Sequence, residues 1–219
     1  MFTRKANVMT RSKIWIFDLD DTLHNASAHI FPEMHQLMVS YIMDTLQLSA
    51  SSAEQLRKHY WQTYGATLKG LVLHHKIDAM DFLIKTHTFP NLENMVIQTQ
   101  RLRNILKSLP GRKCIFTNGQ RDYAFAVLEI MGIADCFELV FSVESVKFHA
   151  KPSVRGFSML LKTLKANPKD CVMVEDSLPA LMTAKQLGMK TVWITKSLKK
   201  PNFVNYRLNS VLALTHVRL

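Results

Sequence analysis

The sequence is poor in cysteine, in long apolar runs and in clustered charge, and each shortage excludes something. Its three cysteines, Cys114, Cys136 and Cys171, are an odd, scattered set with no C-x-x-C spacing, so neither a disulfide framework nor a zinc site is expected. Cys114 and Cys171 open apolar runs, where cysteine behaves as a small hydrophobe. No stretch of about 18 uninterrupted apolar residues occurs, which argues against a membrane span. The basic start (Arg4, Lys5, Arg11, Lys13) is followed by an apolar run of only Ile14 to Phe17, which ends in acids. That is too short for the apolar core of a signal peptide, and a cytoplasmic protein is the expectation. Basic residues never run longer than a pair such as Lys199-Lys200, although the formal net charge is +11. Aromatic residues are not interleaved with the charges as a nucleic-acid platform requires, so nucleic acid is not the expected partner. The dispersed charge reads mostly as a solvated surface, with a modest contribution to the capture of small phosphorylated metabolites.

What is present is ordinary globular material: 219 residues, 47 % hydrophobic and 21 % charged, enough for one large domain or for a core domain carrying a smaller one. There is no internal repeat. The runs Ile14-Trp15-Ile16-Phe17, Cys114-Ile115-Phe116, Leu139-Val140-Phe141, Cys171-Val172-Met173-Val174 and Thr191-Val192-Trp193-Ile194 read as buried strands. Helical patterns at 121–131, 153–165 and 179–187 lie between them. Buried strands alternating with helices predict an α/β fold with a doubly wound parallel sheet. Nearly a hundred residues separate the first strand from the second, far more than one crossover needs. Helical periodicity at Phe31, Met34, Met38, Tyr41, Ile42 and Leu46, then at Leu56, Tyr60 and Tyr64, and further helices predicted over 67–75, 78–86 and 91–109, make this an inserted helical domain. The expected division is residues 1–26 and 108–219 for the core and 27–107 for the insertion. The tail 202–219 carries apolar residues but no legible element.

Four positions carry chemistry, each near the carboxyl end of a core strand. Asp18, Asp20 and Asp21 crowd three carboxylates into four residues; a helix cap or loop acid explains one of them easily, three with difficulty. Mg²⁺ is the natural partner of such a cluster, because it takes oxygen ligands and bridges carboxylate to phosphate. Thr117-Asn118-Gly119 places a hydroxyl and free N–H groups where they can cradle phosphate oxygens, although the same triplet is also a common turn. Lys151, before Pro152 at an expected helix start, offers a fixed ammonium for a transferring phosphoryl group; Lys147 is its rival, and Pro152 as a first helical residue favours Lys151. Glu175-Asp176 follows a buried run and would complete an oxygen cage, where its bland alternative is a helix cap. Each piece has an ordinary explanation; acids, hydroxyl, lysine and acids in that order do not arise easily by chance.

These residues resemble the haloacid dehalogenase superfamily, whose first motif has the form D-x-D-x-T and here is Asp18-Leu19-Asp20-Asp21-Thr22. Thr117, Lys151 and Glu175-Asp176 match the other three motifs, so the resemblance spans nearly the whole chain. It implies that Asp18 is the nucleophile and becomes an aspartyl-phosphate, that Asp20 is the acid and base, and that Thr117 and Lys151 hold the phosphoryl group. It also implies that Asp18, the Asp20 backbone carbonyl and Asp176 bind Mg²⁺, with Glu175 in or beside that set. Asp20 separates phosphoryl-transfer members from the haloalkanoate dehalogenases, which lack it. The insertion resembles a cap that closes over small substrates.

Within the superfamily, Leu23-His24-Asn25 and the stretch from Tyr60 to Leu71 resemble pyrimidine 5′-nucleotidases, which implies substrate-facing roles for His24, Asn25 and Tyr64. Close relatives of that type often carry Asp-Asp in the fourth motif, whereas this chain has Glu175-Asp176, as phosphoglucomutase-like and phosphoglycolate-phosphatase-like members do. The expectation is therefore a nucleoside monophosphate substrate, with a sugar-phosphate phosphatase or phosphomutase as the alternative. A receiver-like phosphate-binding domain and a basic nucleic-acid module are weaker readings, the former opposed by the long insertion.

Overall fold

The computed structural model describes residues 13–218. Six strands form one parallel sheet: β1 (Ile14–Phe17), β2 (Arg112–Phe116), β3 (Leu139–Phe141), β4 (Cys171–Glu175), β5 (Lys190–Ile194) and β6 (Tyr206–Leu208). They lie in the order β3-β2-β1-β4-β5-β6, so the winding direction reverses at β1 and leaves a crevice at its carboxyl end. This is the α/β, Rossmann-like arrangement expected from buried strands.

Alternation explains both layers. Trp15 and Phe17 of β1 share one buried cluster with Ile115, Val172, Val174 and Val192, while Ile14 and Ile16 share another with Cys114, Phe116, Cys171 and Met173. Successive side chains of a strand point to opposite faces, so four apolar residues in a row need cover on both. On the first face α7 (Arg121–Ile130) supplies Tyr123, Ala124, Val127 and Leu128. On the second, α8 (Val154–Leu164) supplies Phe157, Leu160 and Leu164, and α9 (Leu178–Gln186) supplies Ala180, Leu181 and Ala184. Cys114 and Cys171 are free and buried, and burial raises both thiols, Cys171 to about 11.

The segment between β1 and β2 is helical: α1 (Ile30–Leu46), α2 (Ala50–Tyr64), α3 (Thr67–His75), α4 (Ala79–Thr86), α5 (Leu92–Met95) and α6 (Gln100–Ser108). Tyr41, Ile42, Ala53, Tyr60, Leu71, Phe82 and Leu83 make its own buried cluster, joined by Val143 and with Ala150 packed against it. Those last two residues lie in the loop after β3 that leads to Lys151, so the helical layer rests beside the carboxyl ends of the strands. Leu102 and Leu106 of α6 are instead fully buried in the cluster of Trp15 and Phe17. Each buried leucine of this kind contributes about 1.5–3 kcal/mol to holding α6 on the sheet.

Two local expectations are corrected. The helix expected over 91–109 is two helices, because Val96 takes an extended conformation (φ −81°, ψ 115°) and buries its side chain in the core. Burial of one β-branched residue outweighs local helical periodicity there. Pro152 does not open a helix: α8 begins at Val154, and Ser153 N–H donates to the Ala150 carbonyl in a turn before it. The tail, unread in the sequence, adds β6 beside β5 and buries Val211 and Leu214 on the face that carries α6. None of the described helices is long and apolar enough to cross a membrane.

Candidate active site

The pairing of β1 with β4 aligns Phe17 with Val174, and Asp18 N–H continues it by donating to the Val174 carbonyl at 3.0 Å. The next residues on the two strands are Asp18 and Glu175, brought side by side at the crevice where the winding reverses. Lys151 joins them: its Nζ donates to Asp18 Oδ1 at 2.6 Å and to Glu175 Oε2 at 2.6 Å. All three are buried. Glu175 Oε1 accepts from the N–H groups of Asp176 and Ser177 at 3.2 and 3.0 Å. Asp176 is fixed from two sides, by Thr22 Oγ1 donating to its Oδ1 at 3.3 Å and by Trp193 Nε1 donating to its carbonyl at 2.8 Å.

One cation among three acids leaves excess negative charge. Asp18, Glu175 and Asp176 offer oxygens that lie within 4.8 Å of one another. Burial, reinforced by the charge of Glu175, pushes the Asp18 carboxyl up to about 7 despite the Lys151 contact. Burial likewise raises Glu175 to about 7 and Asp176 to about 6. For Lys151 burial opposes the charge, but Asp18 and Glu175 outweigh it and hold the ammonium protonated.

Lys151 is aimed by Asn118, not by a helix start. Its N–H donates to Asn118 Oδ1 at 2.8 Å, and Asn118 Nδ2 donates to its carbonyl at 3.0 Å, so one amide side chain grips the backbone on both sides of the Lys151 Cα. Lys147 is exposed, with φ 49°. Thr117 is buried at the end of β2, and its Oγ1 accepts from Gly119 N–H at 2.9 Å, which leaves the hydroxyl proton for another acceptor. A Cβ on Gly119 would sit 3.2 Å from both Thr117 Oγ1 and the Tyr123 ring, closer than most neighbours allow.

The other acids of the first cluster divide. Asp21 has φ 58°, accepts from Ser27 N–H at 2.8 Å and also bonds the Ser27 hydroxyl, so it shapes the loop. Asp20 is held through one oxygen: Oδ1 meets His24 Nε2 at 3.0 Å and accepts from the Tyr123 hydroxyl. His24, expected to face substrate, is buried, because a bridge between Asp20 and His24 folds its ring back onto that carboxylate. Asn25 is exposed beyond it. Tyr64 is half-buried at the end of α2, where its hydroxyl meets His74 Nε2 at 2.5 Å. The structure thus gathers Asp18, Lys151 and Glu175 into direct contact, with an Asp176 oxygen within 4.8 Å of those of the other two acids, Asn118 gripping Lys151 and Thr22 on Asp176. Sequence reading missed Tyr123, whose only local signal is an aromatic residue in the first turn after Thr117-Asn118-Gly119, and the holding roles of Thr22 and Trp193. A hollow of about 440 Å³ between the start of α1 and residues 89–95 touches none of these groups.

Residues 15–194 match the haloacid dehalogenase-like hydrolase family. The chain belongs to that family. Among this hydrolase's relatives, the phosphate metabolism protein 8 of Saccharomyces cerevisiae is 29 % identical over 137 residues, which cover 58 % of this chain but only 42 % of that protein. The 2-deoxyglucose-6-phosphate phosphatase 2 of the same yeast is 26 % identical over 202 residues, covering 84 % of this chain and 80 % of the relative. In fold the hydrolase is similar to a HAD phosphatase from Thermococcus onnurineus, with TM-score 0.64, 21 % identity and coverage of 93 % and 96 % of the two chains. It is similar to the same degree (TM-score 0.64, 18 % identity, coverage of 94 % and 98 %) to a HAD-hydrolase from Bacillus subtilis bound to magnesium.

Proposed function

We propose that this chain is a magnesium-dependent phosphomonoester hydrolase that works through an aspartyl-phosphate on Asp18 and acts on nucleoside monophosphates, pyrimidine ones preferred. The observation that carries the chemistry is the buried contact of Asp18 with Lys151, beside Glu175 and Asp176. A nucleophilic carboxylate, a fixed ammonium and surplus acids are what phosphoryl transfer needs in a crevice at strand ends.

The donor set fits Mg²⁺, since it is all oxygen and three clustered carboxyls share a single lysine, so a cation there would favour their charged forms against the burial that opposes them. Asp18, Asp176 and the Asp20 backbone carbonyl would hold the ion, which supplies charge neutralisation toward the phosphoryl oxygens. Both oxygens of Glu175 already accept from Lys151 and two backbone N–H groups, so we assign it the holding of Lys151 beside those ligands. Asp18 attacks phosphorus, Asp20 protonates the departing oxygen, and Asp20 then takes a proton from the water that releases phosphate from Asp18. The Thr117 hydroxyl, the Lys151 ammonium and backbone N–H groups around Asn118 and Gly119 hold the phosphoryl oxygens. Asp20 in this loop argues for phosphate esters over haloalkanoates.

We assign the helices over 27–107 the part of a cap, with Asn25 and Tyr64 on the path of the substrate. The packing of Val143 and Ala150 into the helical cluster supports this, because it seats those helices beside Lys151. Sugar phosphates are the second reading, favoured by the yeast 2-deoxyglucose-6-phosphate phosphatases among the relatives. Phosphate release across nucleoside monophosphates and sugar phosphates, with and without Mg²⁺, tests both. Pyrimidine nucleotides should lead the panel; a flat profile would remove the nucleotidase assignment and spare the hydrolase. Asp18→Asn should abolish turnover, and an active variant would overturn the whole reading.

A further inference from the structure

We infer that Tyr123 and His24 are positioning residues for Asp20, clamping its Oδ1 so that Oδ2 alone carries the proton exchanged with the substrate. The inference rests on the proposed hydrolase chemistry and deepens it. Both contacts fall on the same oxygen: the Tyr123 hydroxyl donates to Asp20 Oδ1, and His24 Nε2 lies 3.0 Å from it. His24 faces a carboxylate oxygen through Nε2, the ring nitrogen placed to donate to it. Nδ1 is buried and has no hydrogen-bond partner among the described residues. A buried imidazole with one nitrogen unpartnered is a cost that a purely structural role does not require. The His24 side chain is fully covered, so it reaches Asp20 and not substrate.

Tyr123 is equally fixed. It is buried in the core, and His87 and Phe89, on the return from the helical insertion, meet its ring edge-on at 5.8 and 5.7 Å. Burial and the charge of Asp20 push its phenol well above the ordinary range, so the hydroxyl stays a donor. As the bond from Asp18 to phosphorus forms and the bond to the leaving oxygen breaks, the proton on Oδ2 passes to that oxygen. Asp20 becomes a carboxylate whose Oδ1 already has two donors in place. When water attacks the aspartyl-phosphate, Oδ2 takes its proton and Asp18 departs as a carboxylate. The clamp thus matters in proportion to how badly the leaving group needs a proton.

The test compares an alkyl phosphate with p-nitrophenyl phosphate, whose leaving group needs little protonation, in single-turnover and burst experiments on Tyr123→Phe and His24→Asn. Release of the alkyl alcohol should fall about 10- to 100-fold. The first nitrophenolate should fall less than about threefold, and a burst should appear because hydrolysis of the aspartyl-phosphate slows. An equal loss on both esters, or no loss on either, would overturn the inference. Should Tyr123→Phe fail to fold, His24→Asn carries the same comparison. A wild-type protein that turns over neither ester would instead sink the hydrolase reading, and the clamp with it.

Discussion

Replacing Lys151 by methionine removes the ammonium that joins Asp18 to Glu175 while keeping most of the side-chain volume. Both contacts are 2.6 Å long and buried, and removing one partner of a buried ion pair costs about 3–5 kcal/mol. For a chain of this size that is a melting temperature lower by about 6–20 °C. The loss should depend on pH in a defined sense. Asp18 and Glu175 have folded values raised from 3.8 and 4.5 to about 7, first by burial. Such acids contribute stability that is complete below their unfolded values and lost as the pH rises through about 7. Without Lys151 the folded protein at pH 8 must either bury both charges with no cation between them or protonate them against the solvent pH, whereas at pH 5.5 it protonates them freely. Thermal unfolding of wild type and Lys151→Met in chelator should therefore show the full loss at pH 8 and a much smaller one at pH 5.5. Equal losses at both pH values, or a loss below about 1 kcal/mol at pH 8, would refute the assignment of Lys151 as the counter-charge of a strained acid cluster. Phosphate release by the variant should fall by about 100-fold or more.

Asn118→Ala removes both bonds that grip the Lys151 backbone and should lower kcat/KM about tenfold with the fold intact, read by steady-state kinetics beside a melting curve. His87 is buried, and burial lowers it from 6.5 to about 4. Wild type should therefore lose up to about 3 kcal/mol relative to His87→Leu as the pH falls from 6.5 to 4, and denaturant titrations at several pH values check the slope. A Cβ on Gly70 would fall 2.2 Å from the Tyr60 ring carbon Cγ. Gly70→Ala should thus destabilise by about 1–2 kcal/mol after its gain in helix propensity, lowering the melting point by a few degrees.

The strands and their order of chemistry were legible because each depends on short-range pattern. Ile14 to Phe17 is apolar at every position, which only a strand covered on both faces explains, and the acids after it mark where that strand leaves the core. The same logic located Thr117 and Glu175-Asp176. The tail was not legible: Tyr206–Leu208 is too short for a period, and becomes β6 only because β5 offers an open edge. Val96 broke a helix for the sake of burial, which no local window records.

By itself, then, the sequence determined the sheet, the helical insertion and the residue types at the strand ends, since apolar period and strand-end acids are properties of adjacent residues. Tertiary structure alone decided how those residues are aimed. It chose Lys151 over Lys147 through Asn118, 33 positions away, and turned the His24 ring onto Asp20. It also brought Tyr123 onto Asp20 from 103 positions along the chain. Such contacts depend on which helix packs on which face of the sheet, and that is settled by the burial of the whole core and not by any segment of it.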